Sequence, residues 1–179
     1  MGIYIFNRDS IVRALDNQHV DFGKHIIPAM IPNARVRAHI FDGYWEDIGT
    51  IRSFFEANLA LTDLIPPFNF FDTASPIYTH ARFLPASKIN GATIKNAVIS
   101  DGCIISDAHI ERSVMGIRSY VDSGTTIRNS IVMGADFYEA DLAAQNGPGV
   151  GIGKNCVIDS AIIDKNACIG DGSVITPEG

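Results

Sequence analysis

What the chain is short of narrows its class first. It has only three cysteines, Cys103, Cys156 and Cys168, and none is in a CxxC pair. That spacing offers neither a disulfide framework nor the usual zinc-ligand pairing. The three read instead as small core or corner residues of a cytosolic protein. Charged residues make up 19% of the chain and sum to −6, so no surface for nucleic acid or an anionic membrane is expected. No run of eighteen apolar residues occurs, so no membrane-spanning helix is expected. The opening MGIYIFNRD reads as a strand rather than a signal peptide. Residues 63–87 lack any period and hold Pro66, Pro67, Pro76 and Pro85. They are expected to form an extended linker packed on the domains to either side.

What the chain does have is a repeat of about six residues. Val98, Ile104 and Ile110 are spaced by six, as are Val121 and Ile127, and Ile152 and Ile158. Ile94 precedes the series, and Ile163, Ile169 and Ile175 complete it. Four positions after many of these stands a small or β-branched residue, such as Gly102, Ala108, Thr125 or Cys156. Helices and alternating strands have other periods. A short strand plus a tight turn gives six, and three such units close one coil of a parallel β-helix whose coils must stack to bury their inner faces. Residues 88–179 are therefore expected to form a β-helix, with these aliphatics pointing inward. Residues 134–149 (GADFYEADLAAQNGPG) break the pattern and are expected to be a loop inserted at a corner. Ile152-Gly153 and Ile169-Gly170 suggest glycines at turns of positive φ. A β-sandwich fits less well, because its strands alternate with period two.

The first third is of another kind. Residues 2–6 (GIYIF) read as a strand and residues 8–17 as a helix. Asp21-Phe22-Gly23 leads to a second short segment that contains Ile26, Ile27 and Met30 and is cut off by Pro32. Residues 35–41 and 44–48 read as a hairpin turned at Asp42-Gly43. Thr50 is the expected N-cap of a helix whose apolar stripe includes Ile51, Phe54, Phe55 and Leu59. Residues 1–62 thus read as part of an α/β domain whose strands need sheet neighbours.

Residues 44–50 (YWEDIGT) concentrate the chemistry. Adjacent residues on a strand point opposite ways, so Glu46 and Asp47 cannot both enter one pocket. An Asp at a strand end beside a glycine suits a divalent cation carrying phosphates, since Mg²⁺ takes one or two protein carboxylates and completes its shell with phosphate and water. Solvated hairpin acids are the other reading, as is plain core packing for Trp45.

GIYIF, DFGKHIIP, GYWEDIGT, PIYTHARFLP, SVMGIRS (residues 113–119), MGADFYE (133–139) and IIDKNACIG (162–170) stand in an order that resembles ADP-glucose pyrophosphorylase (glucose-1-phosphate adenylyltransferase), in its cyanobacterial and plant-like branch. The resemblance runs through essentially the whole chain. It implies a mostly β protein: a left-handed parallel β-helix preceded by the C-terminal α/β segment of a Rossmann-like nucleotidyltransferase domain. It also implies formation of ADP-glucose and pyrophosphate from ATP and glucose 1-phosphate for glycogen or starch synthesis, in the bacterial cytoplasm or plastid stroma. By the same resemblance Asp47 is the catalytic, metal-holding aspartate for Mg²⁺, Tyr44 and Trp45 shape the floor beneath it, and Glu46 is structural. His80, Arg82, Asp164 and Lys165 match an allosteric site for phosphorylated anions such as 3-phosphoglycerate and phosphate. His80 stands where plant members often have glutamine, which would make anion binding more pH-dependent. A homo- or hetero-tetramer is implied for the intact protein.

The family's glycine-rich ATP loop, its second metal-binding aspartate and its sugar-phosphate glutamate-lysine pair have no counterpart in these residues. The chain is therefore expected to correspond to the C-terminal portion and to be inactive alone. Two alternatives stay open. Hexapeptide acyltransferases share the β-helix and use a histidine as base between subunits. His109 is the only histidine in the repeats, but it neighbours an inward isoleucine, should face outward, and has no evident partner acid. The third reading is a non-catalytic assembly module.

Overall fold

A computed structural model describes residues 2–138 and 149–178. The chain divides into two compact units, Met1–Gly43 and Tyr44–Gly179.

In the first unit, α1 spans Arg8–Ala14, a π-helical turn spans Phe22–Ile26, and α2 spans Ile27–Met30. The Asp21 carboxylate accepts the Lys24 backbone N–H at 2.7 Å and starts the turn. Tyr4 stacks on Phe22 at 5.6 Å between ring centroids, Phe6 lies 6.0 Å from Phe22, and Ile26 is buried. The strand expected over residues 2–6 is not formed, and neither is the hairpin over 35–48. Those residues have no strand assignment and most are exposed. Ile5 is 97% exposed and Ile40 81%. A two-stranded hairpin is marginal by itself, and the alternation read from the sequence describes residues suited to a sheet that the described residues do not build.

The second unit opens with α3, Ile51–Ala60. Thr50 caps it as expected: its Oγ1 accepts the Ser53 N–H at 3.0 Å, while Ser53 Oγ accepts the Thr50 N–H at 3.1 Å. Leu59 is buried on the helix's apolar side, whereas Ile51 is exposed. Residues 63–87 are mostly exposed rather than packed. Asn69 and Asp72 accept backbone N–H groups two residues on, at 2.9 Å each, and so make turns where an extended run was expected. Ser87 then joins the first coil by accepting the Cys103 N–H at 3.1 Å.

Fourteen short strands follow among the described residues: β1 Lys88–Asn90, β2 Thr93–Lys95, β3 Val98–Ile99, β4 Ile104–Ser106, β5 His109–Glu111, β6 Val114–Met115, β7 Tyr120–Val121, β8 Thr126–Arg128, β9 Ile131–Val132, β10 Gly151–Ile152, β11 Val157–Asp159, β12 Ile162–Ile163, β13 Cys168–Ile169 and β14 Val174–Ile175. They form three parallel sheets, in the orders β1-β4-β7-β10-β13, β2-β5-β8-β11-β14 and β3-β6-β9-β12. Successive strands belong to different sheets, as a three-sided coil requires. Three columns of side chains line the axis. One is Ile94, Ile110, Ile127, Ile158 and Ile175. The second is Ile105, Val121, Ile152 and Ile169. The third is Ile99, Met115, Val132 and Ile163. The expected register holds from Ile110 onward but is wrong by one at two places. Ile99 packs on the core instead of Val98, and Ile105 is wholly buried where Ile104 was expected. A strictly six-residue spacing overcounts, because several corners are one residue shorter.

The corners obey a tighter rule than the strands. Asn96, Asp107, Asn129, Asn155 and Asn166 have positive φ, and each is followed by a small residue and, two further on, by an inward aliphatic: Ala97-x-Ile99, Ala108-x-Ile110, Ser130-x-Val132, Cys156-x-Ile158 and Ala167-x-Ile169. Asparagine and aspartate tolerate this left-handed conformation best among residues with a side chain. Gly153 and Gly170, expected at such turns, are not among the positive-φ residues. Gly153 is instead required by close approach, since a Cβ there would lie 2.9 Å from the Asp171 backbone nitrogen.

The small residues also satisfy the corner backbone. Ser113 Oγ accepts the Ser130 N–H, Ser130 Oγ the Ala161 N–H, and Thr125 Oγ1 the Cys156 N–H, at 3.0 to 3.2 Å. Cys103 is fully buried, and burial pushes its thiol above the ordinary value, as suits a core residue. On the outer face of one sheet Lys95, Glu111, Arg128 and Asp159 stand in register with alternating charge. On another, α3 packs against β9, which accounts for the burial of Ile131.

The two isoleucines of β4 test the register. Ile105→Ala opens a cavity on the axis and is expected to cost about 2–5 kcal/mol. Ile104→Ala should cost under about 1 kcal/mol, as at a partly exposed position. Urea unfolding of the two variants checks this, and the opposite ranking would restore the six-residue register.

Candidate functional site

Two groups of residues carry chemistry, one at residues 44–50 and one at a corner of the solenoid.

In the first, Asp47 lies three residues before the N-cap of α3 and is exposed. A Cβ at Gly49 would sit 3.4 Å from Asp47 Oδ1, so the glycine leaves that flank of the carboxylate uncrowded. Tyr44 lies 6.3 Å from Phe68, which meets Phe70 edge-on at 5.2 Å. Trp45 is 49% exposed, so it is not the core residue that plain packing would make it. Glu46 is exposed as well. No group of three or more His, Cys, Asp or Glu side chains placed to hold a metal occurs among the described residues. A single carboxylate is a donor set suited to Mg²⁺ that arrives on phosphates, and unsuited to a metal caged by protein alone.

The second group surrounds Asp136, at the start of the excursion after β9 (Ile131–Val132). Gly134 makes that excursion possible. Its φ is +83°, and a Cβ there would collide with the Ile117 carbonyl oxygen. Ala135 is buried, and its N–H donates to Ile117 O at 2.9 Å. Asn166 clamps the next residue from the neighbouring coil: its Oδ1 accepts the Asp136 N–H at 2.8 Å, and its Nδ2 donates to Asp136 Oδ2 at 3.0 Å. Lys165 Nζ donates to Asp136 Oδ1 at 2.6 Å. The hydrogen bonds from Lys165 and Asn166, helped by the positive charges of Lys165 and Arg82, hold the Asp136 carboxyl below its ordinary value. Arg118 Nη1 donates to Ala135 O at 3.3 Å, and its guanidinium lies 5.7 Å from the centroid of the Tyr138 ring. The Tyr138 hydroxyl donates to Gly102 O at 3.0 Å.

Of the four residues expected at an anion site, Lys165 bonds this carboxylate directly, and Arg82 acts on it only through its charge, with no hydrogen bond or ion pair to it among the described residues. Asp164 turns its carboxylate to the Lys165 backbone N–H at 2.7 Å, a local role that shapes the corner. His80 is exposed. Asp136, Asn166 and Arg118 were not singled out from sequence. Each falls within a distinctive segment (MGADFYE, IIDKNACIG, SVMGIRS), but only the stacking of coils shows that the segments meet. The inserted loop was expected over residues 134–149; the strand before it ends at Val132, and residues 139–148 lie outside the described residues.

His109 does have a partner acid, contrary to expectation. Its Nε2 is 3.8 Å from Glu111 Oε2, because positions i and i+2 of a strand share a face. Lys95, at 3.2 Å, takes the other carboxylate oxygen and is the main cause holding the Glu111 carboxyl below its ordinary value.

Because the folded Asp136 carboxyl titrates below its ordinary value near 3.8, its contribution to stability is complete above that value and disappears as the pH falls through the lowered one. Carbon-detected NMR titration of the side chain is expected to show the depressed midpoint in the wild type and a return upward in Lys165→Gln.

Residues 82–179 match the family described as GLGC left-handed parallel beta-helix domain, and residues 1–64 match the family described as Nucleotidyl transferase. The three-sided solenoid is therefore of the left-handed kind. No helix among the described residues is long and apolar enough to cross a membrane. With the β-helix match covering more than half of its length and the transferase match lying before it, the chain belongs to the GLGC-type nucleotidyltransferases and matches the C-terminal portion of an ADP-glucose pyrophosphorylase.

Proposed function

We propose that the chain serves as the C-terminal part of a glucose-1-phosphate adenylyltransferase, which joins ATP and glucose 1-phosphate into ADP-glucose with release of pyrophosphate. The observation that carries this reading is the order of the two family matches on one chain, transferase segment then GLGC β-helix. The exposed Asp47 next to Gly49 supports it from the chemical side. In such a reaction Mg²⁺, when bound, neutralises charge on the phosphates during in-line attack. Asp47 would contribute one carboxylate to that ion, and Gly49 leaves room for phosphate oxygens beside it. The aromatic pair Tyr44 and Trp45, with apolar area still exposed, would floor the cleft. Arg82 and Lys165 would bind a phosphorylated effector, Arg through a planar fork of donors and Lys as a mobile point charge. ATP, glucose 1-phosphate, 3-phosphoglycerate, phosphate and a tetrameric assembly all belong to this proposal.

The isolated chain is expected to release no pyrophosphate from ATP and glucose 1-phosphate, since the residues that would cradle the nucleotide have no counterpart in it. In an adenylyltransferase carrying these residues as its C-terminal part, Asp47→Asn is expected to lower kcat on the order of a hundredfold, the scale for removing one group that stabilises transition-state charge. A coupled pyrophosphate assay reads both. Near-wild-type turnover in that variant would remove Asp47 from the mechanism, and steady turnover by the isolated chain would overturn its reading as an incomplete catalytic unit.

A further inference from the structure

The Asp136 carboxylate stands where an external anion would have to stand. Its Oδ1 takes the Lys165 ammonium at 2.6 Å, its Oδ2 takes the Asn166 amide at 3.0 Å, and Arg82 adds a third favourable interaction through its charge. An ammonium and an amide N–H are donors that a phosphate oxygen seeks, and the charge of a guanidinium that makes no direct contact adds to their pull. The backbone beneath is fixed, with Ala135 buried and the Asp136 N–H held by Asn166. The side chain is not so confined: its Lys165 contact is exposed, 50% on the aspartate and 40% on the lysine. Rotation about its own bonds would free the ammonium without disturbing the corner.

We propose that Asp136 is an internal competitor for this site, a tethered carboxylate that an arriving phosphorylated anion must displace from Lys165. This deepens, and rests on, the reading of Lys165 and Arg82 as effector ligands. The competitor sets the site's threshold. A dianionic phosphate outbids a single carboxylate for the same donors, whereas a small monoanion does not, so the tethered carboxylate tunes the site toward phosphate esters and inorganic phosphate.

Inorganic phosphate is the probe, titrated calorimetrically at low ionic strength into the full 179-residue chain and into its Asp136→Asn and Lys165→Gln variants. Asp136→Asn keeps the shape and the amide contacts but removes the charge. It is expected to tighten phosphate binding about two- to fivefold, the size of an exposed ion pair, while Lys165→Gln weakens it. Thermal melts confirm folding, and Asp136→Ser serves as a second variant should the asparagine perturb the corner. Unchanged or weaker binding in both Asp136 variants, with Lys165→Gln still weakening it, would overturn the competitor and leave the anion site standing. Phosphate binding indifferent to Lys165, or no binding in any of the proteins, would remove the site and the competitor with it.

Discussion

A coil that turns three times in sixteen or seventeen residues must place a corner every five or six, and every corner forces a left-handed backbone conformation. That requirement governs the rest of the solenoid. A residue with positive φ comes first, then a side chain small enough to sit inside the bend, then, two positions on, an aliphatic aimed at the axis, as in Asn155, Cys156 and Ile158. Asparagine and glycine meet the first condition at low cost. Serine and threonine meet the second while accepting the N–H that the bend leaves unpaired, as Thr125 does for Cys156. In-register stacking of Ile94, Ile110, Ile127, Ile158 and Ile175 then follows, because equal corners place equal residues above one another. Each fully buried side chain of such a column, as Ile110, Ile127 and Ile158 are, stabilises the fold by about 1.5–3 kcal/mol.

The candidate anion site is a departure from this regularity, and it is built from corner parts. Gly134 lets the chain leave the solenoid, and Asn166, itself a positive-φ corner residue, uses its amide to hold the departing strand. Lys165 comes from the same corner and Arg82 from the segment that leads into the first coil. Asp136 and the pair Lys165 and Asn166, about thirty residues apart in sequence, are thus brought together by the stacking of coils. The wall of the solenoid is buried at Ala135 and hydrogen-bonded through Asn166, and the groups that could exchange partners with a ligand are the exposed tips.

Much of this was legible in the order of residues, for physical reasons that also mark where legibility ends. The repeat announces itself because inward positions accept little besides isoleucine and valine. Its phase is harder to read, since Val98-Ile99 and Ile104-Ile105 are aliphatic pairs in which either member could face the axis; the small residue two positions ahead, Ala97 or Cys103, decides it. Thr50 and Ser53 reveal a helix start because capping is local. The hairpin over residues 35–48 reads well and does not form in the structure, because alternation reports only what a strand would need, not whether a neighbour is there. Asp136 does not stand out in the sequence for a related reason. A lone carboxylate after a glycine acquires meaning only through Lys165 and Asn166, which come from a coil laid down later.

The alternation of Lys95, Glu111, Arg128 and Asp159 along one face has an arithmetic consequence. Insertion or loss of two coils at once leaves plus facing minus at every step of that column. Loss of a single interior coil, or insertion of one that carries a charge in this column, brings two charges of one sign into direct opposition, as Lys95 would meet Arg128 without Glu111, at a penalty of about 0.2–1 kcal/mol. The column thus carries a parity: a length change by an even number of rungs passes unmarked, and a change by an odd number leaves an electrostatic scar on the outside wall while the aliphatic axis, the same on every level, registers nothing.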